Sequence, residues 1–504
     1  MFVPRGNLNY LKTLNTILNH KNFQVYFLVL ISLLITLGRQ LDTGITNFDD
    51  AFYAQKAKEI YDSGNFWIVT LAGKPDFANP PLPFWLMALA YSIFGVSSFS
   101  AVFSSALLGT GIVILTYRLA DHLYKDSWIA FTSSLVLVFP GIFIDSARRA
   151  MVDIHLAFFV TLAIFAFVKA KTNKTCYLVF GLSTAAAILS KSVLGIFPLA
   201  IVFTYLLFNR QWKEMVNPYL ILGSLIALGL GFSWHLINWL EFGQHFIDVH
   251  FGILIFNRGF GDTNVSLNFL GYSEDFLRNY WPWLPFALVG LYKFYKHGFI
   301  DRNESSLLLF IWPVLVFLVM STSKNHTIRY LIMIFPALSI IVAKTFYDWL
   351  APLWKERLLI GLVVTACLTT LFVNTTPFQV KVTLAESSKE VRHLASIIKL
   401  NTPKNEKIGN FKLSFWNPKH AMLFYSDRDL EAPVTDQEDL KKQLQENPKK
   451  MWLSNSDEFK ALNSQLPKKL YLIQGNSKYA FFTSSQNREF VKYNFSGIKV
   501  PNVK

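Results

Sequence analysis

Long apolar runs without charged residues are the feature that most limits how this chain can fold. Such runs occupy residues 27–38, 219–231 and 307–320. A helix needs roughly 20 apolar residues to cross the hydrocarbon core of a bilayer. Only 16% of the 504 residues are charged, whereas soluble proteins carry about 25%. The sequence therefore predicts a mostly α-helical, polytopic membrane protein.

The positions of the apolar runs predict about eleven membrane spans. These spans are 23–39, 98–117, 127–144, 152–170, 176–190, 193–208, 218–240, 281–295, 305–321, 330–347 and 358–374. Residues 80–95 are left out, because their Pro-Pro start and short length favour a helix that lies in the membrane interface. The first outer loop, at 40–97, is therefore expected to contain interfacial helices.

The basic residues predict which way the chain is oriented. A formal net charge of +15 would suggest nucleic acid as a partner of a soluble protein, but in membrane proteins Lys and Arg collect in short cytoplasmic loops. Those that fall on one side of the predicted spans are Lys169, Lys171, Lys174, Arg210, Lys213, Lys293, Lys296, Arg302, Lys355 and Arg357. We therefore expect a cytoplasmic amino terminus, which has the pattern of an uncleaved signal anchor, and no nucleic-acid partner.

A more polar, Lys-rich region, 376–504, follows the predicted membrane domain 1–375. Its short apolar runs alternate with helical patterns, as in small α/β domains; the runs lie at 450–453, 470–473 and 479–482. Thr435 and Glu438 have the spacing of a capping box at a helix start. The predicted topology places this α/β domain outside the cytoplasm.

Two adjacent carboxylates, Asp49 and Asp50, lie in the first outer loop. One interpretation is a helix start, since Asp in the first turn pairs with free backbone N–H groups and with the helix dipole. The other is catalysis, in which a carboxylate takes a proton from an acceptor as a new bond forms. The charge pattern alone leaves both interpretations open.

Basic residues in the other predicted outer loops could hold a departing phosphate, because cations stabilise the charge that develops on a leaving group. The candidates are Arg148, Arg149, Lys191, His250, Arg258, Lys324, His326 and Arg329, with Asp153 among them. Each of these basic residues, taken alone, fits a cation at the membrane interface whose side chain extends towards water. Together with the carboxylate pair on the same face, they favour a phosphate-binding site.

An ordered set of short motifs resembles a known family. The motifs are Asp49-Asp50 with Tyr53, Gly73-Lys74-Pro75-Asp76-Phe77, Pro80-Pro81-Leu82-Pro83-Phe84-Trp85-Leu86, Met151-Val152-Asp153-Ile154-His155, Leu189-Ser190-Lys191 and Ser323-Lys324 with Arg329-Tyr330. Over roughly residues 20–345 the chain resembles the GT-C superfamily of membrane glycosyltransferases. The branch it resembles contains protein O-mannosyltransferases and the aminoarabinose transferase of lipid A.

The resemblance implies an enzyme that moves a sugar from a polyprenyl-phosphate carrier to a lipid, polysaccharide or protein acceptor, with inversion, on the outer face of the inner (plasma) membrane. It implies Asp49 as the catalytic carboxylate with Asp50 and Asp153 in support, and the residues expected to bind substrate are Tyr53, Lys191, His250, Arg258, Lys324 and Arg329. Membrane lipids are further partners. No cofactor is expected with certainty. Whether a divalent metal ion binds near the acids is left open.

Some positions depart from the family pattern. Ala78-Asn79 replaces a Glu-Lys pair, Asp50 replaces Glu, and Val102 replaces Arg. The missing lysine means that another residue must supply a cation for the carrier phosphate. These departures argue against lipid A as the acceptor, but they leave a lipid-linked donor in place.

Two other functions compete with the enzyme. A transporter or flippase for a lipid-linked or polar substrate would usually have internal repeats and polar residues near the middle of the bilayer. Here no repeat is evident, and the acids and bases gather at one surface. A structural subunit of the same fold would tolerate loss of Asp49, which an enzyme would not.

Overall fold

The computed structural model of this protein describes most of the chain. The described residues are 18, 20–38, 44–45, 49–257, 259, 261, 271–324, 326–375, 382–404, 406–413, 419–466, 469–485, 492–493 and 499–500. Within them the backbone is predominantly helical, and a small β-sheet lies near the carboxyl terminus. The predicted fold class, a mostly helical membrane domain with a small α/β domain, is confirmed.

Seven helical stretches in the described residues are long and apolar enough to cross a membrane. They are Ser98–Tyr124, Val152–Ala170, Cys176–Phe208, Pro218–Phe242, Glu304–Ser321, Ile328–Trp349 and Pro352–Thr375. Ser127–Val138 and Gly141–Ala147 would form an eighth, although the pair is bent by 75°. The multi-pass character is therefore confirmed, while the count of eleven crossings stays a prediction.

Shorter helices complete the membrane part. They are Lys21–Leu37, Asp49–Ser63, Leu82–Phe94, Trp212–Met215, Gln244–Ile247, Asp248–Asn257, Ser273–Asn279, Leu284–Tyr295 and Lys296–Ile300. Helix Leu82–Phe94 lies within the segment 80–95 that was predicted to be interfacial, and Leu284–Tyr295 lies within the predicted span 281–295. Both segments are therefore helical, as the apolar pattern predicts.

The helical stretch 176–208 reverses direction near Ser192, where φ is +49°. The ring of Phe167 lies 6.1 Å from that of Tyr177 and 5.7 Å from that of Tyr205. An unbroken helix would place those two tyrosines about 42 Å apart. The two halves are therefore antiparallel, and the turn between them carries Lys191 to the end of the bundle.

The two ends of the helical bundle present different groups. At one end, Lys21 begins the first helix and its Nζ lies 2.7 Å from Asp121 Oδ1. At the other end, Arg148 donates to the carbonyl oxygens of Ile35 and Gly38, where the same helix finishes. Free carbonyls at a helix C-terminus attract a cation. We call these the lysine end and the carboxylate end, because Asp49 and Asp50 lie near Arg148.

The loop 40–97, which is predicted to be the first outer loop, contains the helix Asp49–Ser63, which we call the carboxylate helix. A hairpin of strands Thr70–Leu71 and Lys74–Pro75 follows it. The side chain of Glu59 accepts hydrogen bonds from Thr70 Oγ1 and from the N–H of Ala72, both at 2.7 Å. Glu59 thus fixes the hairpin against the carboxylate helix.

Among the residues that the structure describes, the carboxy-terminal sheet has five strands, some parallel and some antiparallel. Across the sheet the strands are Leu430–Val434, Ile408–Phe411, Trp452–Asn455, Tyr479–Thr483 and Tyr471–Gly475. The first three are parallel and the last three antiparallel. Its helices are Val382–Asn401, Lys419–Ser426, Gln437–Glu446 and Ser456–Gln465, and strands Lys492–Tyr493 and Lys499–Val500 form a separate pair.

The predicted strands 450–453, 470–473 and 479–482 overlap three strands of this sheet. The predicted capping box is off by one residue. Asp436, not Thr435, begins the helix, and its side chain accepts a hydrogen bond from the N–H of Asp439 at 3.0 Å. Thr and Asp are both good N-caps. When they are adjacent, the sequence does not show which of them caps the helix, and only the backbone conformation does.

The carboxy-terminal domain packs directly on the carboxylate helix. Buried residues of both belong to one apolar cluster, which includes Ala51, Ala54, Val391, Leu394, Ala421 and Met422. Lys58 of the carboxylate helix forms an ion pair with Asp427 and donates to the carbonyl of Phe424 at 3.1 Å. The ring of Phe52 contacts that of His420 at 5.1 Å. The position of the carboxylate helix therefore depends on the α/β domain.

Close packing of two membrane helices gives a first test of this fold. A Cβ at Gly223 would lie 2.2 Å from the carbonyl oxygen of Tyr177, whereas a Cβ at Gly229 meets nothing within 4 Å. Gly223→Val is expected to destabilise the protein by about 1–3 kcal/mol through overpacking, and Gly229→Val to have no effect. Thermal melting of the two purified variants in detergent is the measurement. Equal melting temperatures would contradict the close approach.

Candidate functional site

Asp49, the first residue of the carboxylate helix, forms an ion pair with Arg329. Asp49 Oδ2 lies 2.8 Å from Arg329 Nη2, and the two side chains are 22% and 24% exposed. Arg329 belongs to the tight helical turn Ile328–Ile334, which follows the membrane helix Glu304–Ser321. The partly exposed pair joins two residues that lie 280 positions apart in the sequence, and it remains within reach of a ligand.

A second ion pair, between Asp153 and Lys191, lies deeper. Asp153 sits in the first turn of helix Val152–Ala170, and Lys191 ends helix Cys176–Lys191. Their side chains are 5% and 13% exposed. The Lys191 ammonium also lies 4.0 Å from the centre of the Tyr330 ring, an arrangement that stabilises a desolvated cation. Tyr330 directly follows Arg329, so the two ion pairs are neighbours.

Asp50 faces a different arginine. Its carboxylate is 2% exposed and lies 3.6 Å from Arg149 Nε. The same guanidinium lies 3.2 Å from the carboxylate of Asp145. Asp50 is thus buried between the carboxylate helix and the turn before Val152, where it holds these two segments together.

Tyr53 lies one helical turn after Asp49, on the same face of the carboxylate helix. Burial raises the pKa of Tyr53 well above its ordinary value, and the nearby carboxylates of Asp49 and Asp153 raise it further. The phenol therefore keeps its proton at neutral pH and can donate a hydrogen bond. Because both carboxylates act on the phenol, Tyr53 lies near both ion pairs.

Three cations at the carboxylate end each face at least one carboxylate. Arg329 pairs with Asp49, Lys191 with Asp153, and Arg149 with Asp50 and Asp145. A phosphate that enters must therefore compete with a carboxylate for each cation. Displacing Asp49 from Arg329 would also release a carboxylate that can accept a proton.

Two predicted substrate-binding residues, His250 and Lys324, have partners other than the two ion pairs. His250 is 1% exposed, and its Nδ1 and Nε2 bond to Phe77 O at 2.6 Å and Ser192 Oγ at 2.9 Å. Lys324 donates to the carbonyl of Gly261 at 2.6 Å. Arg258 lies outside the described residues. Direct contact of these three with substrate stays a prediction.

Tyr330 and Ser192 were not among the predicted site residues, although both directly follow residues that were. Tyr330 supplies the ring under Lys191, and Ser192 contacts His250. An aromatic residue next to an arginine in an outer loop is a weak signal, because aromatic side chains are common at membrane interfaces. Only the fold places Tyr330 under Lys191.

The divalent metal ion that the resemblance leaves open near the acids stays a prediction. Within the described residues, no group of three or more His, Cys, Asp and Glu side chains could hold one. The three predicted acids Asp49, Asp50 and Asp153 each face a cation, which opposes binding of a metal ion at the same oxygens.

The amino-acid sequence matches the family described as dolichyl-phosphate-mannose-protein mannosyltransferase over residues 78–237. An uncharacterised protein of Aquifex aeolicus is 30% identical over 330 residues, 63% of each chain. An undecaprenyl phosphate-alpha-4-amino-4-deoxy-L-arabinose arabinosyl transferase of Proteus mirabilis is 25% identical over 320 residues, 59% of this chain and 54% of that protein. The matches thus span between about half and two thirds of these relatives.

Two solved structures share the fold over nearly the whole chain. ArnT from Cupriavidus metallidurans bound to undecaprenyl phosphate superposes with a TM-score of 0.74 at 17% identity, covering 92% of this chain and 98% of that one. The oligosaccharyltransferase AglB from Archaeoglobus fulgidus superposes with a TM-score of 0.56 at 12% identity, covering 92% and 74%. At these identities the likeness establishes the fold, which includes the carboxy-terminal domain.

Proposed function

We propose that this chain, which has the fold of GT-C membrane glycosyltransferases and resembles their aminoarabinose-transferase branch, transfers a sugar from a polyprenyl-phosphate carrier to an acceptor. The proposal rests on two neighbouring ion pairs, Asp49–Arg329 and Asp153–Lys191. They lie near Tyr53 at one end of a helical bundle. Such a cluster offers a base for the acceptor and cations for a phosphate.

The proposed reaction is a direct displacement at the anomeric carbon of the donor. A hydroxyl or amine of the acceptor forms the new bond to that carbon while its proton passes to Asp49. The bond from the carbon to the phosphate oxygen breaks on the opposite face, so the sugar inverts. The carrier phosphate leaves with the electron pair, and Arg329 and Lys191 stabilise its added negative charge.

The distribution of charge supports a site on the outer face of the inner membrane. Lys171 pairs with Glu304 and Lys174 with Glu214 at the lysine end of the bundle, far from Asp49. Loops rich in lysine and arginine remain in the cytoplasm. The carboxylate end and the α/β domain are thus assigned to the outside, and the amino terminus to the cytoplasm.

The acceptor is proposed to be a lipid, a polysaccharide or a protein. The α/β domain, with a proposed boundary at 375–376, packs on the carboxylate helix, so it borders the approach of an acceptor to Asp49. The family's glutamate and lysine are absent at Ala78 and Asn79, which disfavours lipid A itself. The same change makes Lys191 and Arg329 the main proposed phosphate ligands.

The experiment that tests the function compares cell-envelope glycolipids and glycoproteins by mass analysis, with and without the gene. We expect one class of molecule to lack a single sugar when the protein is removed. Purified protein in nanodiscs, given total carrier-linked sugars and that acceptor, should then restore the sugar. A transporter or flippase would not form the product in this assay, and failure to form it would refute the proposal.

A further inference from the structure

A buried hydroxyl lies between two histidines next to Lys191. Ser192 Oγ is 2.8 Å from His235 Nε2 and 2.9 Å from His250 Nε2. His250 Nδ1 in turn lies 2.6 Å from the carbonyl oxygen of Phe77. Ser192, His235 and His250 are 6%, 5% and 1% exposed. We call these three residues the serine–histidine chain.

The hydrogen-bond directions in this chain follow from its terminal carbonyl. Phe77 O can only accept, so His250 carries its proton on Nδ1. Burial lowers the pKa of His250, which leaves the ring neutral and its Nε2 an acceptor for the Ser192 hydroxyl. The hydroxyl has then used its one proton, so His235 Nε2 donates to it. His235 Nδ1 has no partner among the described residues.

The serine–histidine chain joins four separate segments of the protein. Phe77 lies in the first outer loop, Ser192 in the turn after Lys191, His235 in helix Ser233–Phe242, and His250 in helix Asp248–Asn257. Aromatic rings surround the histidines: Phe246 stacks on His250 at 5.2 Å and Trp234 lies 5.0 Å from His235. In such a dry site, hydrogen bonds hold their groups firmly in place.

Ser192 also has a strained backbone. Its φ of +49° and ψ of −130° lie in a region where glycine is the usual residue, and a side chain there costs of order 1–3 kcal/mol. The strained turn lies directly after Lys191, whose side chain reaches Asp153 and Tyr330. The hydroxyl therefore fixes the backbone from which the proposed phosphate ligand extends.

We propose that Ser192, His235 and His250 are positioning residues that hold Lys191 in the orientation required to bind the carrier phosphate. The inference rests on the proposed function, since it needs Lys191 to be a phosphate ligand. No member of the chain has to touch the substrate. It also gives His250, which is 1% exposed, a role that needs no contact with the substrate.

The first test measures binding of undecaprenyl phosphate to the full-length protein in nanodiscs. Ser192→Gly removes the hydroxyl and relieves the backbone strain, and these two effects on the melting temperature oppose each other. The dissociation constant is expected to rise about fivefold, because both hydrogen bonds that fix the backbone beside Lys191 are lost. Unchanged affinity in this variant would overturn the inference.

Two variants of His250 distinguish a positioning role from a role in packing alone. The Gln side chain can place an acceptor where His Nε2 lies, so His250→Gln should keep the bond to Ser192 and near wild-type affinity. The Asn side chain can place a polar atom only where His Nδ1 lies. The His250→Asn variant should therefore bind undecaprenyl phosphate as weakly as the Ser192→Gly variant. Equal affinity of Gln and Asn variants would contradict the inference. Failure of the wild-type protein to bind undecaprenyl phosphate would instead refute the proposed function, and the inference with it.

Discussion

Replacing Asp49 with asparagine is expected to reduce sugar transfer by about 10²- to 10⁴-fold, the usual contribution of a general base. The amide keeps the shape of the side chain but cannot accept the acceptor's proton. The amount of protein in the membrane should not change, because Asp49 is partly exposed and begins a helix that other contacts hold. Initial rates of transfer at saturating donor and acceptor are the measurement. Full activity would remove Asp49 from the mechanism.

The same variant should bind the carrier more tightly. In the wild-type protein Asp49 lies 2.8 Å from Arg329, and the carrier phosphate must displace it. Asparagine removes this competition, so the dissociation constant for undecaprenyl phosphate is expected to fall several-fold while transfer is lost. Asp62→Asn, at the exposed end of the same helix, should change neither value. Weaker carrier binding in Asp49→Asn would contradict the exchange of partners at Arg329.

Much of the fold was predictable because few backbone structures are stable in lipid. A charge-free run that is long enough must form a helix, since backbone groups in a bilayer have to bond within the segment. The strands near 450, 470 and 480 were predictable for a related reason, as short apolar runs between polar ones. Span ends and the start of the helix at Asp436 were less certain, because neighbouring residues suit either role.

The types of residue in the candidate site were also predictable, but their pairing was not. Acids and bases beside a membrane span are costly unless they are solvated, paired or used, and this pointed to Asp49, Lys191 and Arg329. That Asp49 meets Arg329, and Asp153 meets Lys191, depends on how distant helices pack. His250 shows the limit of this reasoning, because its position in an outer loop gave no sign of its bond to Ser192.

A substitution at Lys191 is expected to affect both carrier binding and folding. Lys191→Met is expected to weaken undecaprenyl phosphate binding about ten- to a hundredfold, the range for one hydrogen bond to a charged group. It should also destabilise the protein, because Asp153 is 5% exposed and would lose its cationic partner. Removing one member of a buried ion pair costs about 3–5 kcal/mol, so the single variant alone cannot tell a ligand from a structural residue.

The double variant Lys191→Met with Asp153→Asn resolves this difference. Both charges are absent, and neutral side chains of similar size are expected to restore most of the melting temperature, since a buried pair can be replaced at little net cost. Carrier binding should stay weak, because the ammonium that faces the phosphate is still missing. Recovery of both stability and affinity would show that Lys191 only neutralises Asp153. Recovery of stability alone is the result expected of a phosphate ligand.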